Sequence, residues 1–238
     1  MKTKGTIIIL ALGDNKWGQM ALSLCLSIKA NEPNQKVLLV YEDSAVEEIK
    51  PLLPRYFDYL HKVEQRDYES NNANAFYTKT LIYDIAQKAR PDEVKFLMID
   101  ADCIVCPSQK VSDWFTELDG QPFVTWCNDF YDFEKKERMR TDYTFWVEPS
   151  DINVNKGRMP QINSSFMYFE VSLTAYHIFD IAKNEFTRAK EYPIKLYKGC
   201  VPDELCFNLA CWKLDYIQPL MPYYPIFFQF ANEYQNET

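Results

Sequence analysis

A chain of 238 residues, 47% of them apolar and 16% aromatic, carries enough apolar surface for a sizeable core, and it reads as one domain over residues 1–238. The net charge of −8 and the absence of a long Lys/Arg stripe argue against a nucleic-acid backbone as the main partner, and no run reaches the about 20 apolar residues of a membrane span. Seven cysteines, an odd number scattered through apolar segments, suit reduced thiols in the cytoplasm better than a disulfide framework.

Thr6 to Leu12 form an apolar run that mimics the start of a signal peptide. Gly13-Asp14-Asn15-Lys16 ends it without a small-residue cleavage pattern, so it is expected to be a buried strand. From Trp17 the apolar positions Met20, Ala21, Leu24 and Ile28 keep helical spacing until Asn31 and Pro33, and Lys36 to Tyr41 is a second buried strand. This β-α-β order implies a parallel pair, in which ligands bind at the carboxyl ends of the strands; a nucleotide would sit at the turn of residues 13–17.

Ser44 to Leu60 predicts a short helix and a connection. Ser70 to Asn74 offers caps for a helix over about 75–89, with Ala75, Ile82, Ile85, Ala86 and Ala89 on its inner stripe. Lys79 falls on that same stripe, where a lysine either snorkels to water or meets an anion. The next strand, Val94 to Ile99, runs into Asp100-Ala101-Asp102 and turns apolar again at Cys103. On an extended backbone residues two apart point the same way, so the two carboxylates would share a face and call for a positive charge. A hard divalent cation such as magnesium, manganese or calcium meets that need; the simpler alternative is a solvated strand end. Cys103 and Cys106 lack a second pair and read as buried thiols rather than half a zinc site.

Val111 to Leu118 predicts a helix, and Pro122 to Cys127 a strand ending at Asn128-Asp129. Residues 130–160 show no period and are expected to form a functional loop or lid. Gln161 to Glu170 returns to strand character, and Ser172 to Phe186 is an amphipathic helix on which His177 is a packed or exposed residue. Asp203 precedes the helical spacing Leu205, Cys206, Leu209 and Ala210, a place suited to an N-cap.

In order along the chain, Ala11 to Trp17, Tyr77-Thr78-Lys79, Phe96 to Val105, Ile162-Asn163-Ser164-Ser165-Phe166-Met167 and Asp203-Glu204-Leu205-Cys206-Phe207-Asn208 resemble the conserved pieces of glycosyltransferase family 8. Its members include glycogenin-like enzymes and bacterial lipopolysaccharide galactosyltransferases, and the resemblance spans roughly residues 7–213. It implies the GT-A fold, an α/β/α sandwich with a mostly parallel central sheet. It also implies retaining transfer of a hexose from a UDP-sugar donor to an unidentified saccharide or protein acceptor.

Carried over by resemblance, Asp100 and Asp102 would hold Mn2+ or Mg2+, and Asp100 would also lie near the donor ribose. Ala11, Asp14 and Asn15 belong to the nucleotide loop, and Trp17 would stack on the uracil. Lys79 would pair with donor phosphate or sugar, and Asp129, Asn163, Ser164, Asp203 and Glu204 would surround the sugar, the last two as catalytic carboxylates. Ser165 stands where the family has glycine and Glu204 where it has glutamine. No histidine follows His177 to supply the family's third metal ligand. Two alternatives remain open: a sugar-nucleotide-binding protein of the same fold without turnover, and a sugar-1-phosphate nucleotidyltransferase. The short acidic loop at 13–18 fits the latter poorly.

Overall fold

The computed structural model describes residues 5–64, 71–107, 109–132, 137–138, 158–189, 200–216 and 227–228. Along the N-terminal part run β1 (Thr6–Ala11), α1 (Asn15–Asn31), β2 (Lys36–Tyr41), the short helices α2 (Asp43–Val46) and α3 (Leu53–Tyr56), and β3 (Tyr59–Lys62). Then come α4 (Asn71–Thr80), α5 (Ile82–Ala89), β4 (Lys95–Ile99), β5 (Cys103–Ile104), α6 (Val111–Glu117) and β6 (Phe123–Asp132). The remainder contributes β7 (Glu137–Arg138), β8 (Arg158–Glu170), α7 (Leu173–Arg188), α8 (Asp203–Lys213) and β9 (Phe227–Phe228).

The main sheet has the order β3-β2-β1-β4-β8-β6-β7. β1, β2, β3 and β4 are mutually parallel, β8 opposes β4, and β6 opposes both β8 and β7. The sheet is therefore mostly parallel, with β7 and β8 running against the rest. Because side chains alternate across a strand, Ile7 and Ile9 enter one core with Ala21, Leu24 and Ile28 of α1 and with Trp114 and Phe115 of α6. Ile8 and Leu10 enter the other, with Ile82 and Ala86 of α5, Ile178 and Ala182 of α7, and Phe207 of α8. The expected α/β/α layering follows from this two-sided burial.

Several boundaries differ from the sequence expectation. α1 begins at Asn15 rather than Trp17, because the Asp14 side chain caps it by accepting from the Lys16 amide at 3.1 Å. Gly18 faces α2 so closely that a Cβ there would stand 2.0 Å from the Ala45 carbonyl oxygen. Within the segment expected to be a short helix and connection, residues 59–62 form an edge strand, half exposed and bonded to β2. The single helix expected over 75–89 starts at Asn71 and breaks at Leu81, whose amide reaches back only three residues to Thr78. β6 continues to Asp132 and β8 starts at Arg158, so both ends of the expected loop at 130–160 are sheet. Residues 133–136 and 139–157 lie outside the described part of the chain.

Candidate functional site

At the carboxyl end of β4 the expected geometry gives way. The strand stops at Ile99, and Asp100 to Cys103 close a turn in which the Cys103 amide donates to the Asp100 carbonyl at 3.0 Å. The two acids are thus set by a turn and not by strand alternation. They nonetheless lie close enough for the Asp102 charge to act on Asp100.

The charge on Asp100 is met from α4. Lys79 is 7% exposed, and its Nζ lies 2.9 Å from Asp100 Oδ1 and 3.0 Å from Oδ2. It also donates to Ser164 Oγ at 3.1 Å and stands 3.4 Å from Asp203 Oδ2. The lysine on the apolar stripe therefore meets carboxylates instead of snorkelling. These anions keep its ammonium charged far above the usual lysine range even though burial works the other way. Asp100 is also pushed up, to about 6, by burial first and then by the neighbouring Asp102 and Asp203 charges, with Lys79 opposing.

Ser164 reaches Lys79 because β8 is irregular at this point. Thr125 pairs with Met167 but the next residue, Trp126, pairs with Asn163, so Ser164, Ser165 and Phe166 have no partner on β6, although Phe166 still pairs with Ile99 of β4. Local bonds fix the loop: the Asn163 side chain accepts from the Ser165 amide at 3.0 Å, and the single Thr125 hydroxyl proton is shared between the carbonyls of Asn163 and Phe166, at 2.9 and 2.8 Å from Oγ1. The Ser165 carbonyl in turn accepts from the Asp100 amide at 3.0 Å. Helix α8 pins the same strand, since Asn208 Oδ1 accepts from the buried Ile162 amide at 2.8 Å.

The N-cap of α8 is Pro202, so Asp203 is not the expected cap but the first helical residue, 3% exposed. Its Oδ2 is buried and has no hydrogen-bond partner, lying only within ion-pair range of Lys79. Glu204 Oε1 accepts from the Ser164 amide at 3.4 Å. Asp203 and Glu204 thus join Lys79, Asp100 and Ser164 in one cluster.

The turn expected to receive a nucleotide, between β1 and α1, lies one strand away. The Ala11 carbonyl at the end of β1 accepts from the Glu42 amide at 3.1 Å. Asp14 is occupied as the α1 cap, and Asn15 Oδ1 accepts from the Glu48 amide at 3.4 Å, so both have structural duties beside any contact with a base. Trp17, partly buried, packs on the α1 core, with Lys16 Nζ 5.9 Å from its ring centroid. Asp129 lies on β6 opposite Gln161, its side chain outside the described atoms.

Sequence reasoning gave Glu42, at the carboxyl end of the second strand, no role. This carboxylate, 3% exposed, accepts from the Gly13 amide at 2.8 Å and from the Asn74 amide group. It ties the β1–α1 turn to the helix that carries Lys79. Its position at the carboxyl end of β2 was the available signal. Gly13 itself has φ 97°, a conformation glycine adopts freely.

Among the described residues no three His, Cys, Asp or Glu side chains form a ligand set for a metal ion. Asp100 and Asp102 offer hard oxygen donors, and the surplus of carboxylate over the single Lys79 suits a cation that takes its other ligands from substrate phosphate and water. All seven cysteines are free, Cys103 buried and Cys106 half-exposed, and His177 sits exposed on α7 against Tyr176. No helix among the described residues is long and apolar enough to cross a membrane.

No family model and no curated protein matches the chain. Among solved structures it is similar to a glycosyltransferase involved in the glycosylation of the major capsid of PBCV-1, at 12% identity and a TM-score of 0.44, over 78% of this chain and 68% of that one.

Proposed function

We propose that the protein is a GT-A glycosyltransferase of the family 8 kind, moving a hexose from a UDP-sugar to a saccharide or protein acceptor with retention at the anomeric carbon. The observation that carries this reading is the meeting of Lys79, Asp100, Ser164 and Asp203 from four separate elements at the carboxyl end of β4. Ligands of open α/β sheets bind at such an end. The acidic surplus there suits a cation, and the first turn of the neighbouring helix α1 carries Trp17, an aromatic ring able to cover a base.

In this reading Ala11, Asp14, Asn15 and Trp17 receive the uridine, and Asp100 with Asp102 would hold manganese or magnesium. A bound divalent ion would supply Lewis acidity to the leaving diphosphate. Lys79 gives the phosphates a second positive charge, already desolvated and aimed. Ser164, Asn163 and Asp129 orient the sugar. Glu204, held by the Ser164 amide, stabilises the positive charge that develops at the anomeric carbon, and Asp203 sets the position of Lys79.

Retaining transferases leak slowly to water when no acceptor is present, so UDP release from UDP-glucose, UDP-galactose and their N-acetyl forms tests the proposal. One of these donors should be hydrolysed, and Glu204→Ala and Asp203→Asn should each slow release by about tenfold or more, equal to ~1.4 kcal/mol of barrier. Since Asp203 is not the α8 cap, lost rate in Asp203→Asn at an unchanged melting temperature would assign the effect to the placement of Lys79 rather than to the fold. A second reading, a sugar-nucleotide-binding protein without turnover, is favoured by Lys79 covering both oxygens of Asp100. It becomes the better account if UDP binds and no donor in the panel is consumed. The nucleotidyltransferase reading is opposed by the β1–α1 turn, which has only Leu12, Gly13 and Asp14 between strand and helix.

A further inference from the structure

Lys79 is placed in a way that a plain structural ion pair does not require. Its ammonium covers both oxygens of Asp100, at 2.9 and 3.0 Å, and these are oxygens a divalent ion on Asp100 would need. A second carboxylate stands ready beside it: Asp203 Oδ2, 3.4 Å away, is buried and has no hydrogen-bond partner. Ser164 Oγ, at 3.1 Å, gives the ammonium a bond to keep while it changes partner. The lysine is the next-to-last residue of α4, two residues before the helix breaks at Leu81. The charges facing it are Asp100, Asp203 and Glu204, with Asp102 acting on Asp100 from the turn.

We infer that Lys79 is a built-in counter-ion that competes with a divalent cation for Asp100, and that the cation site opens when the ammonium moves from Asp100 toward Asp203. The inference rests on the cation-dependent reading above and deepens it. Before a cation arrives, Lys79 offsets the cost of burying Asp100. As one enters, the ammonium passes to the unsatisfied oxygen of Asp203, so both carboxylates end with a positive partner. Moving the same ammonium off Asp100 also frees it for donor phosphate, which would couple cation and donor binding.

The test is manganese binding to the nucleotide-free protein, read from the electron paramagnetic resonance signal of free Mn2+, for the native chain, Lys79→Met and Lys79→Arg. Removing the competitor should tighten Mn2+ by about tenfold in Lys79→Met. A planar fork that grips both Asp100 oxygens should weaken Mn2+ in Lys79→Arg. The melting temperature of Lys79→Met should also rise more on adding Mn2+ than that of the native chain. If the native chain binds Mn2+ through Asp102, shown by loss in Asp102→Asn, while Lys79→Met binds no tighter, the competition is wrong and the cation site stands. If none of the three chains binds Mn2+, with or without UDP, the cation reading falls and takes the competition with it. Should Lys79→Met fail to fold, Lys79→Arg decides, because native-like Mn2+ affinity in that variant overturns the inference.

Discussion

Strand β4 carries a buried lysine problem at each end, and the two ends solve it differently. At its start Lys95, 7% exposed, pairs with Asp119 and lies 3.7 Å from Glu170. That end is fully bonded: Glu170 Oε1 also accepts from the Tyr168 hydroxyl at 2.6 Å and the Gly120 amide at 2.7 Å, and Asp119 is half in solvent. Beyond its finish, Lys79 serves Asp100 and Asp203 at once, Asp102 and Glu204 add negative charge, and one buried oxygen has no hydrogen bond. A satisfied ion pair marks the amino end of the strand; an over-acidic and under-bonded cluster marks the carboxyl end. Incomplete satisfaction inside a folded protein suits a place where a ligand completes the set.

The sharpest way to break the contrast is to neutralise each lysine in turn. With EDTA present, Lys79→Met should lower unfolding stability by about 3 kcal/mol, because it leaves buried carboxylates without a cation. Lys95→Met should cost about 1 kcal/mol, since water screens Asp119, and should leave UDP affinity unchanged. Equal losses in denaturant melts would mean both ends are merely structural. Between these in size, Trp17→Ala should weaken UDP binding by about 2 kcal/mol, on the scale of base–aromatic stacking. Tryptophan fluorescence quenched by UDP in the native chain should lose that component in the variant. A folded Trp17→Ala chain that binds UDP like the native one would make the ring core packing alone.

The same contrast explains what the sequence could reveal. Strands β1, β2 and β4 are continuous apolar runs buried on both faces, and such runs are legible from hydrophobicity alone. Strand β3 is not, because its four residues Tyr59-Leu60-His61-Lys62 are half exposed at the sheet edge and are held there by pairing with β2. For the site, Asp100, Lys79 and Asp203 stood out as charges in or beside apolar segments. Their contacts did not, since 21 residues separate Lys79 from Asp100 and 85 separate it from Ser164. The looped-out Ser164 depends on the register of β6 against β8, and the turn at Asp100 on where β4 stops pairing. Neither is written in local propensity.

The measurement that bears most directly on the carboxyl end of β4 is UDP affinity by calorimetry in manganese and in EDTA, for the native chain and for Asp102→Asn. Manganese should tighten UDP severalfold or more in the native chain, and Asp102→Asn should lose most of that gain. Identical UDP affinity in manganese and EDTA would contradict the assignment of Asp100 and Asp102 to a cation.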